Sequence, residues 1–193
     1  MIAEKAMGPT PRTLIVHLED HPGALNRVVS VFRRRACNIE SLVVGRSEQP
    51  GVSRITLVVA GADGAASRMA LNLYKLVDVL HVEDVTSAAA VIREMVFVKL
   101  EARMRTEVLQ LCQIFRARVV DVGPASITVE ATGTQDKMDG LIEVLRPFGI
   151  LELARTGAVA MVRGLPSAPI GASEPFPHGE PSSYDERSSH DEV

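Results

Sequence analysis

A chain of 193 residues, 46% hydrophobic but only 4% aromatic, has room for one or two domains built on aliphatic cores. No apolar run approaches the ~20 residues of a membrane span. Met1 to Arg12 shows no apolar export signal, and Cys37 and Cys112 are too few and too far apart for a disulfide framework, so reduced thiols in a cytosolic protein are expected. The net charge of −3 is uneven, because residues 165–193 hold six acids and one base, and neither that segment nor the body has the strongly basic balance of nucleic-acid binding.

In chain order, Met1 to Pro11 reads as a loose leader. Alternation predicts a strand over Arg12 to Leu18, which runs into the polar turn Glu19-Asp20-His21-Pro22-Gly23. A helix over about Gly23 to Arg35 carries Leu25, Val28, Val29 and Phe32 at i, i+3, i+4, i+7. Arg33-Arg34-Arg35 at its end complement the helix dipole; a solvated end is favoured there over a phosphate patch. Strands at Asn38 to Arg46 and Ser53 to Ala60 flank the hairpin connection Ser47 to Gly51. After the turn Gly61 to Gly64, a helix bears Ala66, Met69, Leu73 and Leu76, and Val77 to Val82 reads as a strand.

The same order recurs. A strand over Val91 to Glu101 precedes a helix with Val108, Leu111, Cys112 and Phe115 on one face. Strands at Arg118 to Val122 and Ser126 to Ala131 meet at the turn Gly123-Pro124. A helix with Met138, Leu141, Ile142 and Leu145 ends at Arg146-Pro147. Phe148 to Arg155 is the last long strand, with Gly157 to Met161 as its extension. The fold class is therefore α+β: two tandem βαββαβ units, residues 12–87 and 91–164, joined near Ser87 to Ala90. Residues 165–193 are rich in Pro, Ser and Gly without periodicity, as expected of a disordered tail. Both helices of each unit fall on one sheet face, so the apolar residues of the other face call for a cover, most economically a second copy.

The turn at 19–23 is the candidate binding element. The first N–H groups of a helix lack partners and favour negative charge, and Gly23 lets a ligand approach the backbone. Asp20 can cap the helix or hold an ammonium group. A small zwitterion fits such a set: its carboxylate on the helix start at Gly23 and Ala24, its amine on Asp20 or Asn38. Catalysis finds no equivalent support. His17, His21, His81, His178 and His190 form no metal-spaced pair, and no Walker loop, Cys-x-x-Cys, His-Glu-x-x-His or nucleophile elbow is present. A binding module with no catalytic residues and no metal site is expected.

The sequence Asp-x-Pro-Gly-x-Leu at 20–25, then Asn38-Ile39-Glu40-Ser41-Leu42, resembles the amino-acid-binding ACT domain. With Lys75 to Leu80, Ile114-Phe115-Arg116 and Ala154-Arg155-Thr156-Gly157, the span from Arg12 to Gly164 is similar to the regulatory small subunit of acetolactate synthase (acetohydroxyacid synthase). The resemblance implies an N-terminal ACT domain, a C-terminal ferredoxin-like domain, and a homodimer that binds valine or another branched-chain amino acid between subunits. It implies that the chain activates a large subunit and confers end-product inhibition in valine, leucine and isoleucine synthesis. Thiamine diphosphate, Mg and FAD would belong to the large subunit, with no cofactor on this chain. The effector residues it implies are Asp20, Gly23, Ala24, Asn38 and Ile39. A free-standing amino-acid sensor acting on another enzyme, a transporter or a transcription factor is the alternative. Two departures stand out: Asp20, where some members have Asn, and Ala36-Cys37, where Gly and an aromatic are usual. If position 36 is a left-handed helix exit, Ala costs roughly 1 kcal/mol there relative to Gly.

Overall fold

The computed structural model of the chain describes residues 11–60 and 65–164. The leader before Pro11, the turn at 61–64 and the tail at 165–193 lie outside the described residues. The first unit comprises β1 (Arg12–Glu19), α1 (Ala24–Arg34), β2 (Ile39–Arg46), β3 (Val52–Val59), α2 (Ala65–Leu73) and β4 (Val79–Asp84). The second comprises β5 (Ala90–Glu101), α3 (Arg105–Phe115), β6 (Arg118–Val122), β7 (Ser126–Gly133), α4 (Gln135–Leu145), β8 (Ile150–Arg155) and β9 (Val159–Val162). Strand orders are β2-β3-β1-β4 and β6-β7-β5-β8, with every neighbour antiparallel. The chain thus repeats one ferredoxin-like βαββαβ topology, as the sequence pattern predicts.

Alternation along the central strands builds both cores. Leu14, Val16 and Leu18 of β1 and Ile55, Leu57 and Val59 of β3 meet Val28 and Phe32 of α1 and Met69 and Leu73 of α2. Val96, Val98 and Leu100 of β5 and Ile127 and Val129 of β7 meet Val108 and Cys112 of α3 and Met138, Leu141 and Leu145 of α4. Both cysteines are free, and burial pushes each thiol up.

Three sequence expectations are corrected. The buried face of α1 is Ala24, Val28, Val31 and Phe32; Leu25 is 37% exposed and Val29 half-buried. An i, i+3, i+4, i+7 pattern fits either of two adjacent stripes, and here the stripe of Leu25 and Val29 is left nearer the solvent. The fourth strand starts at Val79, because the carbonyl of Asp78 is taken by the Glu19 N–H and Val77 projects into solvent. The last segment extends the line of β8, as the sequence predicts: Gly157 at φ +84° interrupts the pairing, and β9 resumes it in the same direction along β5, against Ala90 to Arg93, the first third of that strand.

That pairing matters for the third correction. Ala160 of β9 is buried with Ile15 of β1 and Val85. Arg54 of β3 donates to the Ala160 carbonyl, and Thr86 and Val85 bond the backbone of Thr13. The outward face of the first sheet, expected to need a partner, is covered in part by the second half of the same chain. His17 lies buried on this face, its Nδ1 without a partner among the described residues. Burial, then the charges of Arg54 and His81, lower its pKa.

Candidate functional site: the first turn and the start of the second strand

The turn after β1 is pinned on both sides. The Asp20 N–H donates to the Gly51 carbonyl at 2.8 Å, and the Ser53 hydroxyl donates to Asp20 Oδ1 at 3.0 Å. Asp20 is therefore directed toward β3 and does not cap α1. Gly23 holds φ +94° and ψ −17°, and no side chain caps the helix behind it. A Cβ at Gly23 would meet nothing within 4 Å. The Ala24 N–H itself is taken by the His21 carbonyl at 3.3 Å, so the donors without a side-chain cap at this helix start begin after it, beside open space, which suits an anion.

Behind the turn lies an ion-pair network that spacing did not single out. Asp78, 4% exposed, accepts from Arg27 of α1 at 2.8 and 2.6 Å and from His21 Nε2 at 3.0 Å. The Pro22 carbonyl, at 3.1 Å from Nδ1, and the Asp78 carboxylate both favour the protonated ring, so the His21 pKa is raised. Ligand atoms of Glu19, His21 and Asp78 lie within 4.8 Å of one another, but Arg27 already occupies both Asp78 oxygens with positive charge. The signal was Asp78 itself, an acid in the middle of the apolar stretch Leu76 to Leu80.

Asn38 and Ile39 stand elsewhere. Ala36 leaves α1 at φ +50°, the left-handed exit expected at that position. The Asn38 carbonyl accepts from the Ala60 N–H at 3.1 Å, while its exposed side chain bonds no described residue. Ile39 pairs with Val59 at the far end of β3. Glu19, before the turn, pairs with Val52 at the near end. Seven residues of strand separate the two groups, roughly 23 Å at 3.3 Å per residue. Asp20, Gly23 and Ala24 are therefore brought together at one end of α1, and Asn38 and Ile39 at the other. No single small amino acid touches both groups of one chain.

Residues 14–81 match the model described as the AHAS small subunit-like ACT domain, and residues 93–164 match that of the small subunit of acetolactate synthase. The probable acetolactate synthase small subunit of Methanothermobacter thermautotrophicus is 45% identical over 161 residues, covering 82% of this chain and 96% of that protein. The chain belongs to the acetolactate synthase small-subunit family. The Mycobacterium bovis small subunit is 42% identical over 160 residues, covering 82% of this chain and 95% of the relative. The crystal structure of the Thermotoga maritima small subunit aligns with a TM-score of 0.75 at 34% identity, over 80% of this chain and 98% of that one. Membership carries a regulatory role in branched-chain amino-acid biosynthesis, an amino-acid-binding ACT domain and association with a large catalytic subunit. Among the described residues, no helix is long and apolar enough to cross a membrane.

Proposed function

We propose that this chain activates the thiamine-diphosphate-dependent large subunit of acetolactate synthase and confers on it feedback inhibition by valine. In this reading the chain has no catalytic activity of its own, works in the cytoplasm, and leaves thiamine diphosphate, Mg and FAD to the large subunit. The observation that carries the effector site is the separation just described. A two-fold pairing of first units along α1 and β2 sets the Gly23 end of one copy against the Asn38 end of the other, and does so twice. Each site then takes Asp20, Gly23 and Ala24 from one protomer and Asn38 and Ile39 from its partner. The valine carboxylate meets the helix start, its ammonium meets Asp20 or Asn38, and its side chain lies by Ile39.

The surface supports such a pairing. β2 is an edge strand, its Val44 is exposed, and so is Leu25 of α1, both apolar. Acetolactate formation from pyruvate by the large subunit, measured with and without this chain and with and without valine, tests the proposal. The expected result is no product from the chain alone, a raised rate with the large subunit, and loss of that gain on adding valine. Product from the purified chain by itself, or an unchanged large-subunit rate, overturns it.

A further inference from the structure

Two motif blocks remain without a role in the site above: Glu40-Ser41-Leu42 in β2 and Arg155-Thr156-Gly157 at the end of β8. They face each other across a cleft of about 460 Å³ between the two sheets, which Val58, Glu94 and Gln135 also line. At its base the Ala158 N–H donates to Ser41 Oγ at 2.9 Å. Gly157 fits against the same hydroxyl so closely that a Cβ there would lie 2.4 Å from Ser41 Oγ and 3.2 Å from Val43 Cγ2.

The two sides of this contact differ in freedom. On the second-unit side the segment is fixed to its own sheet. Thr156 exchanges hydrogen bonds with the backbone of Met95, and Arg155 pairs with Glu94 and with Asp139 of α4. On the first-unit side, the register of β2 against β3 slips between Ile39 and Ser41. A bulge there adds a residue to one strand and lets side chains be re-aimed without breaking the sheet. The slip sits between Ile39, at the effector site, and Ser41, at the joint.

We infer that Ser41 and Gly157 are the positioning residues through which occupancy of the effector site is passed to the second unit. A ligand that draws in Asn38 and Ile39 displaces Ser41 across the bulge. Because Ala158 and Gly157 are held to the second sheet, that displacement is delivered to the whole unit, and the cleft beside the joint leaves space for the movement. This inference rests on the effector reading proposed above.

The test separates ligand binding from its consequence. Ser41→Ala removes the acceptor and adds no atom; Gly157→Ala drives its Cβ into the hydroxyl. Full-length variants are titrated with L-valine by calorimetry and assayed with the large subunit. Each is expected to bind valine nearly as the parent does and to activate without valine, while the coupling of valine to inhibition falls by about tenfold. The double variant should lose less than the sum of the two single variants, because removing the hydroxyl opens room for the new methyl group while the strain of a Cβ at φ +84° remains. Full valine inhibition in Ser41→Ala overturns the inference. So does a parallel loss of binding and inhibition, which marks a merely structural role. Where Gly157→Ala fails to fold, Ser41→Ala decides alone. A parent chain that binds no valine overturns the effector reading itself, and the joint with it.

Discussion

One guanidinium nitrogen of Arg27 donates to both carboxylate oxygens of Asp78, so α1 is tied at its first turn to the residue just before β4. The pair is lopsided: the Asp78 side chain is 5% exposed and that of Arg27 is 49%. Removing the acid leaves a cation that can turn to water, which is less costly than stranding a charge in the core. Asp78→Ala is expected to destabilise the chain by ~3 kcal/mol, the low end for breaking a buried pair, as read by urea denaturation. A change below about 0.5 kcal/mol, typical of surface sites, would place Asp78 outside the stabilising framework.

Two histidines of the first unit, His17 and His21, predict a stability maximum in pH. The pKa of His21 is raised above 6.5, so its contribution is complete below that value and is lost as pH rises through the folded value. The pKa of His17 is lowered from 6.5, so its contribution is complete above that value and is lost as pH falls toward the folded one. Melting temperature should therefore decline on either side of a mildly acidic optimum. His21→Gln should flatten the alkaline limb and His17→Gln the acidic limb. An unchanged profile in both variants counts against these assignments.

Ala36 offers a gain. Its φ of +50° disfavours any residue with a Cβ, and its exposed methyl group buries nothing. Ala36→Gly should stabilise by about 1 kcal/mol, the reverse of the usual effect of glycine. Equilibrium unfolding of the two chains checks the sign.

The proposed pairing along α1 and β2 predicts which surface changes matter. Leu25→Glu and Val44→Glu place charge on residues already exposed in the single chain, so folding should be retained. Sedimentation should show a dimer at micromolar concentration for the parent and a monomer for the double variant. A parent that sediments as a monomer removes the shared site.

Gly23 separates backbone strain from ligand repulsion. Its φ of +94° means that any L residue is strained there, by about 1–2 kcal/mol. Gly23→Ala carries that cost alone. Gly23→Asp adds a carboxylate where the ligand carboxylate belongs, an added ~3 kcal/mol or more, equivalent to over a hundredfold in affinity. Calorimetric titration with valine should show a large drop for Asp and a small one for Ala, with activation retained in both. Equal drops would point to strain rather than charge.

Periodicity made most of this fold legible. Apolar stripes and turn residues mark both βαββαβ units because local burial generates those patterns. The face of α1 was ambiguous because two adjacent apolar stripes exist, and only packing against β3 chooses between them. The division of the site was, in principle, readable: α1 runs the length of the sheet, so the residues before it and after it must emerge at opposite ends. The Arg27–Asp78 pair and the burial of Ala160 against the first sheet were not readable, since both depend on contacts between residues far apart in sequence.

β5 is twelve residues long, and its two parts serve different neighbours. Ala90 to Arg93 carry β9, whose Ala160 rests on the first sheet, while Glu94 to Glu101 form the middle of the second. One uninterrupted strand thus acts as a rigid spar through both halves. Heat should melt them in a single calorimetric transition, and a protease nick at 86–89 should leave the fragments associated. A truncation that ends near Ser87 would strip Ala160 from Ile15 and Val85, and expose to aggregation a surface that the intact chain never shows to water.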